Sequence, residues 1–268
     1  MKKLQLILSA ALVFVIVFGC KNGKTAHSED SWTYKECLHI DSLLTEYKKD
    51  RPKEYISNDD DSSVIVWKEI KELCRQGKTS EVIDYYDNPA HKGSLSIYFR
   101  CGPVRYEFVK YLYLPLCQQN LPKQEYIDKG IKELEFQEYL TEASIEMGKM
   151  QGRDYHPEHQ EDLLFNLYSF YMDGGKFDLA IQLAEKMITT ETELYGPDNP
   201  NVANSIYNKA WAYRKAGKND LSIVTMKQAI IKYQSCLDSC ADETVASQIK
   251  TALENAQADL AEFSNVKQ

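Results

Sequence analysis

Two apolar patterns divide the chain. From Leu4 to Phe18 every residue is apolar except Gln5 and Ser9. As a helix, fifteen such residues reach roughly 22 Å at about 1.5 Å each, short of the roughly 30 Å hydrocarbon core of a bilayer. Beyond residue 31 the apolar residues recur at helical spacing instead. Trp32 to Lys49 carries Tyr34, Cys37, Leu38, Leu44 and Tyr47 on that period and predicts a short helix. Pro52 and an acidic run interrupt it over residues 50–63, which read as a solvated loop. Helical signals resume over Val64 to Tyr86, Val104 to Leu116 and Gln124 to Met150, with Pro115 as a point where the second of these could kink or shorten.

The second half of the chain repeats itself. Residues 163–188 align without gaps on residues 205–230 at a shift of 42. Asn166 matches Asn208, Tyr171 matches Tyr213, and Gly175-Lys176 matches Gly217-Lys218. Asp178, Leu179 and Ile181 match Asp220, Leu221 and Ile223, and the small Ala180 matches the small Ser222. Each unit reads as a helix, a glycine turn and a second helix, with Gly175 and Gly217 supplying the positive φ that ends the first helix. Ala180 and Ser222 then sit where two helices cross closely. Between the units, Asn199 is a good N-cap and Pro200 a good first helical residue.

This pattern resembles the tetratricopeptide repeat. The period of 42 and the linker Gly196-Pro197-Asp198-Asn199-Pro200 resemble the longer variety found in kinesin light chains and in many bacterial repeat proteins. The resemblance is strongest over about 155–240. It implies an all-α helical solenoid whose first helices line a concave face. Weaker copies extend it. Gly77-Lys78 stands six residues before Ile83, as in the strong units, and Asn120, 43 after Gly77, is placed to replace a left-handed glycine. Asp242 to Phe263 reads as a terminal helix covering the last apolar face. The expected architecture is two clear repeats, 155–196 and 197–238, two degenerate ones, and a capping helix over 242–263, all within a repeat domain spanning 59–268.

The start of the chain has its own resemblance. Lys2 and Lys3 precede the apolar run, and Val17-Phe18-Gly19-Cys20 follows, which is similar to the lipobox of bacterial lipoproteins. The resemblance implies a signal peptide over 1–19 and a Cys20 carrying diacylglycerol and an N-acyl chain, an anchor that needs no spanning helix. Residues 21–30 are polar and read as a tether, so that 20–58 holds the anchored cysteine, the tether and the short helix. Lys21, unlike the aspartate that retains lipoproteins in the inner membrane of enteric bacteria, implies the outer membrane, facing the periplasm.

Charge and chemistry narrow the function. The formal net charge is −8, and removing Lys2 and Lys3 leaves −10. Such acidity argues against a nucleic-acid partner, which favours a basic face. Cys37, Cys74, Cys101, Cys117, Cys236 and Cys240 are scattered without zinc-site spacing, and Cys74 and Cys117 fall on apolar stretches as expected of buried thiols. Cys236 and Cys240 stand one helical turn apart and could pair only in a frayed helix. His156 and His159 stand near acids, but His156-Pro157 occupies the same place before a helix as Asn199-Pro200, so no metal is expected. No nucleophile elbow, phosphate-binding glycine loop or zinc-protease motif is present, and no acid stands out from a solvated helix face. The chain is therefore expected to be non-enzymatic and to need no cofactor.

What remains is a binding surface. Carried over from the tetratricopeptide family, the concave set is Phe165, Asn166, Ser169, Met172 and Asp173 in the first clear repeat. In the second it is Asn204, Tyr207, Asn208, Trp211, Arg214 and Lys215. Aromatic, Asn and Arg residues together suit a protein or peptide ligand. Two alternatives stay open: Trp211 or Tyr207 packs on a neighbouring helix, or the terminal helix folds into the groove. The leading reading is a lipid-anchored scaffold that binds a protein or peptide in the cell envelope. The other is a small-ligand or glycan-binding lipoprotein of nutrient capture.

Overall fold

The computed structural model describes residues 31–49, 61–99, 102–150 and 158–265. The proposed signal, Cys20, the tether, most of the acidic loop, Cys101 and His156 lie outside the described residues. The described residues are helical and contain no strand. None of their helices is long and apolar enough to cross a membrane. They fall into two compact units, one holding the helices up to Met150 and the other those from Glu158 onward. A single domain over 59–268 was the sequence expectation. The helix Trp32–Lys49, expected as part of the linking region, packs into the first unit.

In the first unit, α1 (Trp32–Lys49) packs against α2 (Ser62–Arg75). The Trp67 indole N–H donates to Asp41 across that contact at 2.7 Å. Next come α3 (Thr79–Asp87) and α4 (Pro89–Tyr98). The sequence reading missed α4, although its signal is present: Asn88-Pro89 is the same pair as Asn199-Pro200. In both, the asparagine side chain accepts from the backbone N–H two residues on, at 3.0 Å and 2.9 Å. Trp67 is sealed into an aromatic core, edge-on to Phe99 (5.3 Å) and Phe108 (6.0 Å), with Tyr86 close to Phe108 and Tyr113. Such pairs contribute about 0.5–1.5 kcal/mol each beyond the area they bury.

Helical structure continues through Pro115. α5 (Gly102–Glu107) runs through a π-helical segment, Phe108–Tyr113, into α6 (Leu114–Asn120). Proline lacks an N–H and its ring crowds the carbonyl four residues back, and one wider turn relieves both. Asn120 does not take the left-handed turn. It is the last residue of α6, its amide donates to the Leu116 carbonyl at 2.8 Å, and the chain leaves through an extended Leu121. Pro122 follows, and the residue before a proline is pushed towards extended conformations. α7 (Lys123–Met150) closes the unit, with its buried positions running from Ile127 to Gln137.

The second unit is simpler. α8 (Glu158–Asp173), α9 (Phe177–Tyr195), α10 (Pro200–Lys215), α11 (Asn219–Ser239) and α12 (Glu243–Asn265) each pack on the next in sequence. Gly175 and Gly217 have φ of 68° and 74°, as expected, and Gly77 has 69°. The lysine after each glycine has φ near −86° and ψ near 60°. Around Gly217, Lys218 N–H donates to Tyr213 O (2.9 Å) and Gly217 N–H to Arg214 O (3.1 Å), and the same two bonds recur around Gly77 and Gly175. These are Schellman turns, which consume carbonyls left over at a helix end. Ala180 and Ser222 are fully buried.

α12 begins where Asp242 accepts from the backbone N–H groups of Thr244 and Val245. It buries Ile249, Leu253, Ala256 and Phe263 against Ala203, Ala210, Met226 and Tyr233. Cys74 and Cys117 are buried free thiols, and Cys37, Cys236 and Cys240 are also free. Cys236 lies inside α11 while Cys240 caps it.

Candidate functional site

The second unit holds a cavity of about 270 Å³ that opens to solvent. Its floor is one stripe of α10. Asn201, Asn204, Ser205 and Asn208 stand at i, i+3, i+4 and i+7, the spacing that puts residues on one helix face. Glu161 and Phe165 come from α8, Met187 and Glu191 from α9. Tyr207 of α10, Tyr233 of α11 and Asn255 of α12 complete the polar lining, which contains no Lys, Arg or His.

Glu191 is the unusual member. On α9 the buried positions Ala180, Ala184, Met187 and Glu191 form one stripe, so a carboxylate takes the last place in an apolar row. It is 5% exposed. Ser205 Oγ donates to its Oε1 at 2.9 Å, while Oε2 is buried without a hydrogen-bond partner. Burial pushes its carboxyl up to about 8, the Ser205 hydroxyl pulls against that, and the charge of Glu161 adds to the rise. Sequence reading saw only solvated acids. The signal it passed over was Glu191 standing four residues after Met187 on the buried face.

Other lining groups divide into used and unused. Tyr233 Oη donates to the Asn204 side-chain oxygen at 2.7 Å. Tyr207 Oη donates to Asp259 at 2.5 Å; burial first, and then this bond, raise its phenol to about 12. Tyr195 Oη donates to Glu161 at 3.0 Å. The side-chain amides of Asn201, Asn208 and Asn255 make no hydrogen bond among the described residues.

The eleven residues carried over from the repeat pattern are therefore not one surface. Phe165, Asn204, Tyr207 and Asn208 line the cavity. Trp211 is turned to α12: its ring meets Phe263 edge-on at 5.0 Å and its N–H donates to Asp259 at 3.1 Å. Arg214 lies over Phe263 at 5.1 Å and donates to Asn219 at 2.7 Å. Lys215 lies over the Trp211 ring at 5.7 Å. On α8, Asn166 bonds back to the Asp162 carbonyl and Ser169 to that of Phe165. These two, half-buried Met172 and exposed Asp173 are outside the lining.

This arrangement suits recognition: an open pocket of mixed polar and apolar lining, with amide donors and acceptors and a buried carboxyl group. No protein-family model matches the chain, and no curated protein does.

Proposed function

We propose that the chain is a membrane-anchored lipoprotein whose second unit is a tetratricopeptide-type array binding part of an envelope protein or peptide. The observation that carries the binding reading is the unused hydrogen-bonding capacity of the cavity: three asparagine amides. Asn201 and Asn208 are half-buried and Asn255 is exposed, so their amides offer donors and acceptors to a ligand. Three Gly-Lys turns of the same geometry support the repeat reading. Val17 to Cys20 supports the anchor.

The nutrient-capture alternative is favoured by the cavity's polarity alone. No tryptophan lines it: Trp67 is buried in the first unit and Trp211 packs on Phe263. At about 270 Å³ it falls just below the roughly 300–1,000 Å³ of small-molecule sites, a size that suits one residue or one chain end.

Two experiments test the proposal. Radiolabelled fatty acid enters the wild-type chain and not Cys20→Ala; labelling of both removes the anchor. Crosslinking in the envelope captures the same protein with wild type and loses it with Asn201→Ala/Asn208→Ala. Equal capture by both removes the cavity from recognition, and a sugar retained through purification replaces the peptide reading.

A further inference from the structure

We propose that Cys37 and Cys74 are oxidised to a disulfide that staples α1 to α2 in the first unit. The inference rests on the membrane-anchored reading, which places the chain outside the reducing cytoplasm, where such bonds persist.

Packing brings the two sulfurs together. Thr33, Cys37 and Asp41 stand at i, i+4 and i+8 on α1, and Trp67, Lys71 and Cys74 at i, i+4 and i+7 on α2, one face of each helix. The two faces meet antiparallel, and both ends of the seam are bonded. Thr33 Oγ1 donates to the Cys74 carbonyl at 3.3 Å. Asp41 accepts from the Trp67 indole at 2.7 Å and from Lys71 at 2.8 Å. Cys37 lies between those bonds, and its thiol is hydrogen-bonded to that of Cys74. Both residues are fully buried. The other described cysteines are turned elsewhere. Cys236 Sγ donates to the Asp198 carbonyl at 3.1 Å, Cys240 Sγ to that of Asp242 at 3.4 Å, and Cys117 is bonded to Tyr113.

The step is a thiol–disulfide exchange. One thiolate of the pair attacks a disulfide of the envelope, that of a protein dithiol oxidase or of oxidised glutathione, and one thiol of that disulfide leaves. The second thiolate attacks the mixed disulfide, closes Cys37 onto Cys74 and releases the other thiol. Two protein thiols are oxidised, and two electrons and two protons pass to the oxidant, which becomes two thiols. In the folded, reduced chain the bond to Cys74, and then burial, push the Cys37 thiol far above its usual range, so the attacking form is scarce there. Cys74 is sealed from any oxidant. The bond therefore closes during folding, before α1 covers Cys74. It encloses residues 38–73 and restricts the unfolded chain by that loop. Because α1 follows the tether from Cys20, the staple also joins the anchored end of the chain covalently to the core around Trp67.

The test expresses the full chain, with its signal, in an enteric bacterium fed radiolabelled fatty acid. Cells are quenched in acid, free thiols are alkylated, and the chain is digested with trypsin without reduction. Trypsin releases Cys37 in residues 36–48 and Cys74 in residues 72–75. These two peptides are expected as one linked species in most of the labelled chain, separated by reductant. In a second arm the purified full chain, in detergent, is reduced, denatured and refolded in a mixture of reduced and oxidised glutathione. It is expected to form the same link and to melt at least about 5 °C above its reduced form. Reductant should leave the melting of Cys37→Ser/Cys74→Ser unchanged; an equal fall in both proteins places the stabilising bond elsewhere and overturns the proposal. Labelled chain with both thiols alkylated overturns the disulfide and leaves the anchor standing. A link from either cysteine to a third overturns the pairing. Unlabelled chain that carries the link supports the disulfide and overturns the anchor alone. Unlabelled chain with both thiols alkylated overturns both, whatever refolding forms.

Discussion

Among the described residues each unit buries one glutamate in a helix–helix contact, and the two are treated differently. In the first unit Glu133, 2% exposed, has both oxygens occupied: Lys92 is on Oε1, with Arg105 at 3.2 Å and Tyr86 Oη at 3.0 Å on Oε2. Arg105 is itself 1% exposed, donates to Ser96 at 2.9 Å and lies over Phe136 at 4.9 Å. In the second unit Glu191 has one hydroxyl on one oxygen and nothing on the other. A buried charge is tolerated when it is paired and fully hydrogen-bonded. Glu133 meets that condition and belongs to the core. Glu191 does not: its Oε2 is buried without a partner, beside a cavity whose lining includes the residue.

The largest expected effect comes from breaking the network around Glu133, whose two oxygens are both occupied although Arg105 Nε has no partner. Glu133→Ala leaves the Arg105 guanidinium buried without its carboxylate and costs about 3–5 kcal/mol in chemical denaturation. A loss under 1 kcal/mol would mean that water already reaches Arg105 and that the first unit is no more satisfied than the second. Trp211→Ala comes next. It removes the ring under Phe263 and a donor to Asp259, and is expected to cost about 2–3 kcal/mol, less than for a sealed tryptophan because the ring is only half-buried. Hydrogen exchange should locate the loss in α12. If α12 stays protected, Trp211 does not hold it.

Glu191→Gln should act in the opposite direction. The folded-state carboxyl sits near 8, above its ordinary value of 4.5. The folded protein therefore holds that proton more tightly than the unfolded chain. The stability this confers is complete below about pH 4.5 and is lost as pH rises towards 8. Glutamine has no proton to lose. The ligand-free variant should match wild type near pH 5 and exceed it at pH 9, by on the order of 2 kcal/mol; solvent reaching the cavity keeps the figure below full linkage. Equal melting temperatures at pH 9 would show that Glu191 ionises there without penalty.

The same contrast explains what the sequence revealed. Helices, Schellman turns and the terminal cap are local events, and their signals are local: Gly175-Lys176, Gly217-Lys218, Asn199-Pro200 and Asp242 all act as read. α4 was equally legible in Asn88-Pro89 and was passed over. Asn120 failed because Pro122, two residues on, outweighed its own preference for a left-handed turn. The cavity was half legible. Asn204 and Asn208 came from the resemblance to the tetratricopeptide repeat, which implied them as part of a concave set. That Trp211 would turn to Phe263, 52 residues later, depends on where α12 docks, which no local pattern encodes. Glu191 was hidden by composition, as one acid among 40 acidic residues, and only its place after Met187 distinguishes it.

The smallest effect lies within the α10 stripe and sharpens the contrast to one helical turn. Asn204 and Asn208 are four residues apart and both line the cavity. Asn204 accepts the hydroxyl of Tyr233, which is 2% exposed. Asn204→Ala strands that hydroxyl and should cost about 1–2 kcal/mol. The Asn208 side chain has no protein partner to strand; only its backbone carbonyl is used, by Tyr168 Oη at 2.7 Å, and alanine keeps that bond. Alanine also favours a helix interior more than asparagine does, by a few tenths of a kcal/mol. Asn208→Ala should therefore leave the denaturation midpoint within about 0.5 kcal/mol of wild type, or slightly raise it, while weakening ligand capture. A loss of 1.5 kcal/mol or more would show that the amide is committed to the fold, and Asn208 would then join Asn204 as a structural residue.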